Sequence, residues 1–407
     1  MSLHLNRQDR PSYTINMQIN EVKIYHISLP FLWDFSHSLR NRSSANNIVV
    51  KVTADHGEVI GYGEGAPRSY VTGESQKTAT ESIRNFLGTR SFPRELEDVS
   101  QVWDFVDNLP ESCEHNAAIC ALEMALLDLL GKRENRSIIE YFPKNFLAEN
   151  ITYGAALPIA RKERIIELCS LSKSMGINKL KLKMGKDFNQ NKEILKAVRS
   201  VFNGSCDIKT DVNGVWNHDL AFRHLPLIRD YGIKVVEQPM MPNDPEIADF
   251  AAMLRDLDVK VMADESACSL TEVADILEKD HYNMINVRLS KCGGFRKSFR
   301  IIDYLRAEGI PFQIACQLGE SGLLSAAGRI LSLLNSDALY HDGSYDKFLL
   351  KENITDENVS FGPGGEAGPL GGCGLGVKVD NKKLEKLNGG HNKGREYAIS
   401  SKEITNI

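Results

Sequence analysis

Five charged residues recur along the chain at nearly constant spacing, each beside the end of a short apolar run. They are Lys183, Asp211, Glu237, Asp264 and Lys291, and the intervals between them are 28, 26, 27 and 27 residues. One strand, one helix and two loops occupy about that length in a β/α barrel of roughly 250 residues. Such barrels carry their chemistry at the C-terminal ends of the strands. The spacing therefore predicts three carboxylates and two lysines around one barrel mouth.

The three acids offer oxygen donors only, since no histidine or cysteine stands beside them. Such donors suit Mg²⁺, with Mn²⁺ as a substitute, better than Zn²⁺. A single acid at a strand end more often caps a helix or pairs with a lysine, but three in succession favour a metal site. We therefore expect Asp211, Glu237 and Asp264 to bind a divalent cation. Asp264 is preferred to Glu265 because neighbouring residues of a strand point to opposite sides.

Lys181 and Lys183 are two residues apart in the extended segment KLKLK, so both point to one face while the leucines point to the other. An edge strand with solvated lysines is the alternative, and the flanking leucines argue against it. Two ammonium groups packed together are expected to lower the pKa of one of them and produce a neutral base. Lys291 is expected across the barrel mouth. A substrate carbon between the lysines could then lose a proton on one face and regain it on the other.

The composition excludes several classes of protein. A net charge of −5 gives no reason to expect nucleic acid or an anionic membrane as a partner. The eight cysteines contain no CxxC pair, which favours reduced thiols over a disulfide framework or a zinc site. Residues 1–16 lack the apolar core of a signal peptide, and no run reaches the roughly 18 apolar residues of a membrane span. We therefore expect a cytoplasmic protein.

The order of the patterned segments predicts two domains. Alternating apolar residues from about Glu21 predict a small antiparallel sheet with Asp55–His56–Gly57 in a turn. The segment His115–Lys132 is apolar on nearly every face and predicts a helix buried between domains. Strands then alternate with helices from about Ile151 to Ala338, which predicts a parallel sheet closed into a barrel. The glycine-rich residues 361–380 lack the strand and helix of a phosphate loop and are expected to return the chain to the first domain.

Five motifs in order resemble the signature set of the enolase superfamily. They are KLKMG, DVNGVW, VVEQP, ADES and LSKCGG, which begin at residues 181, 211, 235, 263 and 289. The lysine of the last motif is similar to the muconate-lactonizing enzyme subgroup rather than the mandelate racemase subgroup. GYGEGAPRSYVTGES (61–75) resembles a capping-domain loop of that subgroup, and ALEMALLDLLGK (121–132) resembles its linking helix. The resemblance covers roughly residues 20–380.

The resemblance implies an α/β fold, in which a modified TIM barrel of the (β/α)7β type carries an α+β capping domain. The N-terminal region and the C-terminal segment would both contribute to that capping domain. We expect the capping domain at residues 17–145, the catalytic barrel at 146–350 and a return segment at 351–385. Residues 1–16 and 386–407 are expected to be flexible tails.

The resemblance also implies roles for individual residues. Asp211, Glu237 and Asp264 would bind Mg²⁺, which holds a substrate carboxylate and stabilises the enediolate formed on loss of the α-proton. Lys183 and Lys291 would be acid and base on opposite faces, and Lys181 would polarise the carboxylate. Further residues are expected to contact the substrate: Asn213, Glu320, Asp346, Arg42 and Tyr70.

The site residues do not identify the reaction. The subgroup they resemble includes cycloisomerases, o-succinylbenzoate synthases, N-acylamino-acid racemases and dipeptide epimerases. Dipeptide epimerases of this type carry an Asp-x-Asp motif near the eighth strand. Here HDGSYDKFLL (341–350) keeps Asp346 but has Ser344 where the first aspartate would fall, and Asp342 could substitute. Specificity is expected to lie in cap loops at residues 31–46 and 62–74. Four cations there could meet a second anionic group: His37, Arg40, Arg42 and Arg68.

Our first hypothesis is a Mg²⁺-dependent racemase or epimerase of an N-acyl amino acid or peptide-like carboxylate. The second is a lyase of the same site, acting as a cycloisomerase or dehydratase. A Schiff-base aldolase is a different class, in which Lys183 or Lys291 would attack a carbonyl. A non-catalytic binding protein is the least favoured hypothesis. The expected partner is a small-molecule carboxylate, and the family resemblance implies a homo-oligomer.

Overall fold

The computed structural model describes residues 17–37, 40–389 and 397–400. The side chains of residues 34–41 and 397–400 lie outside that description, as does the tail predicted at residues 1–16. None of the described helices combines the length and the apolar character that a membrane span needs.

The first described part of the chain is an antiparallel sheet covered by helices. Strands β1 (Met17–His37), β2 (Arg40–Ala54) and β3 (Val59–Gly65) pair in that order, and the turn Asp55–Gly57 lies between β2 and β3 as predicted. The elements that follow are α1 (Gln76–Leu87), β4 (Glu95–Leu96), α2 (Val99–Asp107) and α3 (Asn116–Arg133).

Helix α3 is buried on nearly every side, as the apolar residues of 115–132 predicted. One side packs on β3, where every second residue from Gly61 to Gly65 is glycine. A Cβ atom on any of these three glycines would collide with the α3 backbone. The glycines therefore let the helix lie directly on the strand and join the capping sheet to the rest of the molecule.

A buried carboxylate closes the N-terminus of α3. Glu74 is 1% exposed and accepts hydrogen bonds from the Ala117 N–H at 2.9 Å and the Thr72 hydroxyl at 2.7 Å. Burial raises the pKa of Glu74 to about 7. A carboxyl group with a raised folded-state pKa binds its proton more tightly in the folded protein. This group therefore makes the protein less stable as the pH rises from about 4.5 to about 7.

We expect Glu74→Gln to flatten the dependence of stability on pH, because a neutral amide avoids the cost of ionising the buried group. The free energy of unfolding of the variant relative to the unmodified protein should rise by about 1–3 kcal/mol between pH 5 and pH 8. Urea unfolding at both pH values measures this difference. Glu163→Gln, at an exposed position, is the matched control and should show no such change. An equal offset at both pH values for Glu74→Gln would contradict the prediction.

The second part of the chain is an eight-stranded parallel sheet whose strands alternate with helices, which confirms the predicted α/β class. The strands are β6 (Ala155–Leu157), β7 (Lys179–Lys183), β8 (Asp207–Asp211), β9 (Ile233–Glu237), β10 (Lys260–Ala263), β11 (Met284–Arg288), β12 (Phe312–Ala315) and β13 (Tyr340–His341). The helices are α4 (Lys162–Ser174), α5 (Phe188–Val201), α6 (His218–Asp230), α7 (Ile247–Asp256), α8 (Leu270–Glu278), α9 (Leu289–Cys292), α10 (Gly294–Ala307) and α11 (Gly322–Leu334).

The first and last strands of this sheet meet. Tyr153, just before β6, forms a parallel bridge with His341 of β13, and the Gly154 N–H donates to the His341 carbonyl at 2.9 Å. The sheet therefore curls into a barrel. Strands β7 and β11 are four positions apart in the strand order, so their ends lie on opposite sides of the mouth.

The last part of the chain returns from the barrel to the capping domain. It contains α12 (Asp346–Leu349), β14 (Glu366–Ala367), which pairs with β5 (Ile151–Thr152), and α13 (Asn381–Leu387). Strand β15 (Tyr397–Ser400) pairs with β1, although the sequence analysis expected a flexible tail there. The exposed edge of β1 supplies the backbone groups for this pairing, which no side-chain pattern indicates. The predicted domain boundaries stay a prediction.

Candidate active site

Three buried carboxylates form the floor of the barrel mouth. Asp211 and Glu237 end the neighbouring strands β8 and β9, where they are paired in the ladder, and Asp264 directly follows β10. All three are fully buried. The side-chain amide of Asn286 donates to Glu237 at 2.8 Å and to Asp264 at 3.3 Å, which holds these two acids together.

Each of these carboxylates has a cationic partner. The Lys183 ammonium lies 2.5 Å from Asp211 Oδ2, and the Lys181 ammonium lies 3.4 Å from Glu237 Oε2. The Arg288 guanidinium bridges Glu237 and Asp264. The negative charge of the floor is therefore neutralised by side chains of the barrel itself.

These residues suit a hard metal ion by their chemistry. Within the described part of the chain, no three Asp, Glu, His or Cys side chains already converge as a metal site. However, Glu237 Oε2 is buried and accepts no hydrogen bond, and its cationic neighbour is the Lys181 ammonium at 3.4 Å. Burial, and after it the charge of the neighbouring Asp211, raises the pKa of Glu237. A divalent cation would stabilise these adjacent buried carboxylates in their charged form. Asp211, Glu237 and Asp264 therefore fit the predicted ion.

The paired lysines both reach the mouth, and the lowered pKa expected for one of them is not found at Lys181. Both side chains reach the mouth from β7, with 8% of the Lys181 side chain and 14% of the Lys183 side chain exposed. Burial alone would lower the pKa of Lys181. The carboxylates of Glu237 and Asp342 outweigh that effect and raise it far above its usual value. Anions close to the pair, which the lysine spacing does not reveal, cause this difference.

Lys291 follows β11, on the side of the mouth opposite β7, but its side chain is fully buried and does not line the cavity between them. Its ammonium is fully buried, donates to the backbone carbonyls of Asp264 (2.8 Å) and Asn286 (2.5 Å), and lies 3.2 Å from Asp264 Oδ1. Strand β11 ends at Arg288, and Leu289–Cys292 form a helical turn from which the Lys291 side chain contacts Asp264. Arg288 takes the expected place on the mouth, opposite β7. Burial alone would lower its pKa, but Asp264 and Glu237 raise it well above the usual value.

A cavity of about 140 Å³, here called the catalytic cavity, opens above this floor. Both β7 lysines and Arg288 line it. Four of the predicted substrate-binding residues also line it: Tyr70, Asn213, Glu320 and Asp346. Glu320 accepts from the Gln317 N–H at 2.6 Å, while one buried oxygen of Asp346 has no hydrogen-bond partner.

The predicted cap-loop cations Arg42 and Arg68 make different contacts. Arg42 lies over the ring of Tyr70, 4.8 Å from its centroid, and so supports a residue of the cavity wall. Arg68 is buried and donates to the Leu318 carbonyl and to Asn47, which ties the cap to the barrel. His37 and Arg40 lie outside the residues whose side chains are described.

The acids after β13 also have distinct environments. Asp342 lies 3.0 Å from both the Lys181 and the Lys209 ammonium groups, and these cations outweigh burial and depress its pKa. It is therefore already paired and a poor substitute for the missing aspartate of the Asp-x-Asp motif. Ser344 accepts a hydrogen bond from Arg329 at 3.0 Å, away from the cavity.

Sequence reasoning missed several residues of the cavity. Arg288 ends a strand in the same way as Lys183, Asp211 and Glu237, so the strand-end criterion could have found it. Glu265 also lines the cavity, because β10 ends at Ala263 and strand alternation no longer applies after that residue. An aromatic wall carries no sequence signal of its own: Trp33, Tyr345 and Phe348.

Fold and site together define a capped β/α-barrel enzyme with a carboxylate-rich centre. Residues 164–383 match the family described as enolase C-terminal domain-like, and residues 19–142 match the mandelate racemase / muconate lactonizing enzyme N-terminal domain. The chain belongs to the enolase superfamily, in its mandelate racemase / muconate lactonizing enzyme group.

Curated relatives of the chain are isomerases. A hydrophobic dipeptide epimerase from Enterococcus faecalis is 25% identical over 378 residues, which cover 91% of this chain and 97% of that protein. An N-succinyl-L-Arg/Lys racemase from Bacillus cereus is 27% identical over 315 residues, with 77% and 83% covered. Both names describe inversion of configuration in an amino acid derivative.

Solved structures support the fold. The crystal structure of N-succinyl Arg/Lys racemase from Bacillus cereus superposes with a TM-score of 0.81 at 24% identity and covers 94% of this chain and 100% of that one. A dipeptide epimerase from Cytophaga hutchinsonii, complexed with Mg and D-Ala-L-Val, has a TM-score of 0.79 at 22% identity, with the same coverage. These neighbours have a capping domain on a TIM barrel, which confirms the predicted architecture.

Proposed function

We propose that this protein removes the α-proton of a carboxylate substrate with the help of Mg²⁺. We further propose that it racemises or epimerises an N-acyl amino acid or a dipeptide-like compound. The observation that carries the proposal is the pair Lys181 and Lys183, which lines the catalytic cavity while its ammonium groups contact the buried carboxylates Glu237 and Asp211. The names of the curated relatives support inversion at an α-carbon.

Asp211, Glu237 and Asp264 would hold the Mg²⁺ ion, for which Mn²⁺ could substitute. The bound ion would supply Lewis-acid stabilisation of the negative charge that develops on the substrate carboxylate. The remaining steps belong to the side chains of the chain itself.

Lys183 is the proposed base. Its ammonium nitrogen is held by Asp211 Oδ2 and, at 2.8 Å, by Asn213 Oδ1, so it has a defined position on the cavity wall. In its neutral form this nitrogen would take the α-proton. Lys181, whose pKa is raised by Glu237 and Asp342 against the effect of burial, stays cationic and would face the substrate carboxylate.

Arg288 is the proposed cation of the opposite wall, in place of Lys291. Inversion needs a proton delivered from the side of the α-carbon that Lys183 does not face. Arg288 lines that side of the cavity and would stabilise developing negative charge, but a guanidinium that stays protonated does not supply the proton. The Lys291 ammonium, buried against Asp264, does not line the cavity. The participation of Lys291 as acid or base stays a prediction from the sequence.

The position of Arg288 on the wall opposite Lys183 favours a second candidate function, a lyase of the cycloisomerase or dehydratase type. A guanidinium is a poor proton acceptor, because arginine stays protonated in proteins. A reaction that needs one base only, such as loss of a β-substituent after α-proton removal, could use Lys183 alone. The stereochemistry of proton exchange separates the two candidates.

The test is incubation with Mg²⁺ in D₂O, with α-proton exchange and configuration followed by NMR and chiral chromatography. The substrate panel should include hydrophobic dipeptides and N-acyl amino acids. Exchange with inversion supports a racemase or epimerase. Exchange with retention, or release of a β-substituent, supports the lyase instead. If borohydride traps a substrate on a lysine, the metal-assisted proposal fails in favour of a Schiff-base enzyme.

We expect EDTA to reduce α-proton exchange by at least about 100-fold, because the negative charge of the reacting carboxylate would lose its stabilising ion. Mg²⁺ or Mn²⁺ should restore activity after the chelator is removed. Thermal unfolding provides an independent measurement, since an ion that binds only the folded protein raises its Tm. Full exchange by metal-free protein would contradict the prediction.

A further inference from the structure

We infer that an apolar groove beside the catalytic cavity binds a nonpolar chain at the end of the substrate distant from its carboxylate. This inference rests on the proposed function. The groove has a volume of about 500 Å³. We call it the side groove, and its main walls are Trp33, Leu168, Leu171, Met175, Phe348 and Phe361.

The side groove adjoins the catalytic cavity. Four residues line both spaces: Trp33, Ala156, Tyr345 and Phe348. Ala156 of β6 is the ladder partner of Lys181, and paired residues of parallel strands point to the same face. Beside the Lys181 side chain, this strand therefore presents only a methyl group to the mouth. Because the Ala156 side chain is small, we infer that a substrate chain passes over it from the catalytic cavity into the side groove.

The barrel connectivity explains why the groove exists. Strand β13 is followed by the four-residue helix α12 and then by the return segment. Helix α4 therefore faces Phe361 of that segment instead of a long neighbouring helix, and apolar side chains of α4 remain accessible. Leu171 is 51% exposed, and Trp33 at the rim is 38% exposed.

The lining determines the chemistry of the occupant. Arg164 and Glu167 stand at the edge of the groove, pair with each other at 2.9 Å and keep about half of their side-chain area exposed. They can remain in water when the groove is filled. The interior is formed by leucine, methionine and aromatic side chains, so an uncharged aliphatic or aromatic group gains most by entering it.

The junction between the two spaces is pre-formed. The Tyr345 hydroxyl donates to the Gly154 carbonyl at 2.7 Å, and the Phe348 ring lies 5.3 Å from the Phe361 ring. These contacts fix the two rings that both spaces share. A substrate chain would meet a rigid surface and would not have to order it on binding. Because the shared residue Ala156 is the ladder neighbour of Lys181, the substrate itself is the occupant that this adjacency favours.

The experiment uses N-acetyl-, N-butanoyl-, N-hexanoyl- and N-octanoyl-L-alanine with Mg²⁺ in D₂O. KM for α-proton exchange should fall about threefold for each methylene that enters the groove, while kcat changes little. Leu171→Arg should abolish this dependence on chain length and leave the N-acetyl compound unaffected. Ile166→Arg is the matched control, because Ile166 is an exposed apolar residue of the same helix outside both cavities.

Calorimetric binding of N-acetylglycine and N-octanoylglycine to the full chain separates this inference from the proposed function. Tighter binding of the octanoyl compound that Leu171→Arg removes supports the groove as a binding site, even if the alanine series shows no exchange. Exchange with no dependence of KM or binding on chain length overturns the inference and leaves the proposed function standing. Loss of a dimer in Leu171→Arg without any effect of chain length also overturns it, since a second copy would then fill the groove.

Discussion

Replacing Lys183 by alanine is expected to lower kcat for α-proton exchange by about 10²–10⁴-fold, the usual contribution of a positioned acid or base. Lys183 lines the catalytic cavity and is held between Asp211 and Asn213, where no other described lysine of β7 can reach both partners. NMR of the exchange reaction in D₂O measures the loss. KM should change much less than kcat, because Lys181 keeps its charge close to the substrate carboxylate.

Two comparisons make this prediction specific. Lys186→Ala removes an exposed lysine three residues further along and should exchange at the rate of the unmodified protein. Urea unfolding of Lys183→Ala is needed as well, since Asp211 loses its cationic partner in that variant. A folded Lys183→Ala protein that retains most of its exchange activity would refute Lys183 as the base.

The second large effect is expected at Arg288. We expect Arg288→Met to lower kcat/KM by about 10²–10³-fold, comparable to the loss of one preorganised group that stabilises developing charge. Glu237 and Asp264 would lose the guanidinium that bridges them, and the cavity wall opposite Lys183 would lose its positive charge. Steady-state kinetics on the best substrate of the D₂O panel measures this effect. Arg288→Lys should recover part of the activity because it restores the charge.

Lys291→Met is the informative comparison for that variant. The Lys291 ammonium is fully buried, lies 3.2 Å from Asp264 Oδ1 and lines neither described cavity. Removing one partner of a buried ion pair typically destabilises a protein by about 3–5 kcal/mol. We therefore expect Lys291→Met to reduce the free energy of unfolding while its folded fraction retains more activity than Arg288→Met. The opposite order of activities, at equal folded fractions, would restore Lys291 as the acid or base of the opposite face.

Much of the site could be predicted because strand ends are visible in the sequence. A charged residue directly after an apolar run marks the end of a barrel strand, and parallel strands bring such ends together. The structure brings Lys181, Lys183, Asp211, Glu237 and Asp264 together at or beside the C-terminal ends of strands β7 to β10, while their roles stay predictions. The spacing does not separate Arg288, which ends β11, from Lys291 three residues later, because the chain has already turned into a helix there.

The amino-acid sequence by itself determined the barrel, the capping sheet and the carboxylates at the strand ends, since periodicity and spacing are local properties of the chain. Only the tertiary structure decided which cations line the catalytic cavity. Arg288 lines it whereas Lys291 does not, and Asp342 pairs with Lys181 and Lys209. The side groove also depends on distant segments, because Trp33, helix α4 and Phe361 meet there. Contacts between residues hundreds of positions apart follow from strand order and packing, which no local pattern encodes.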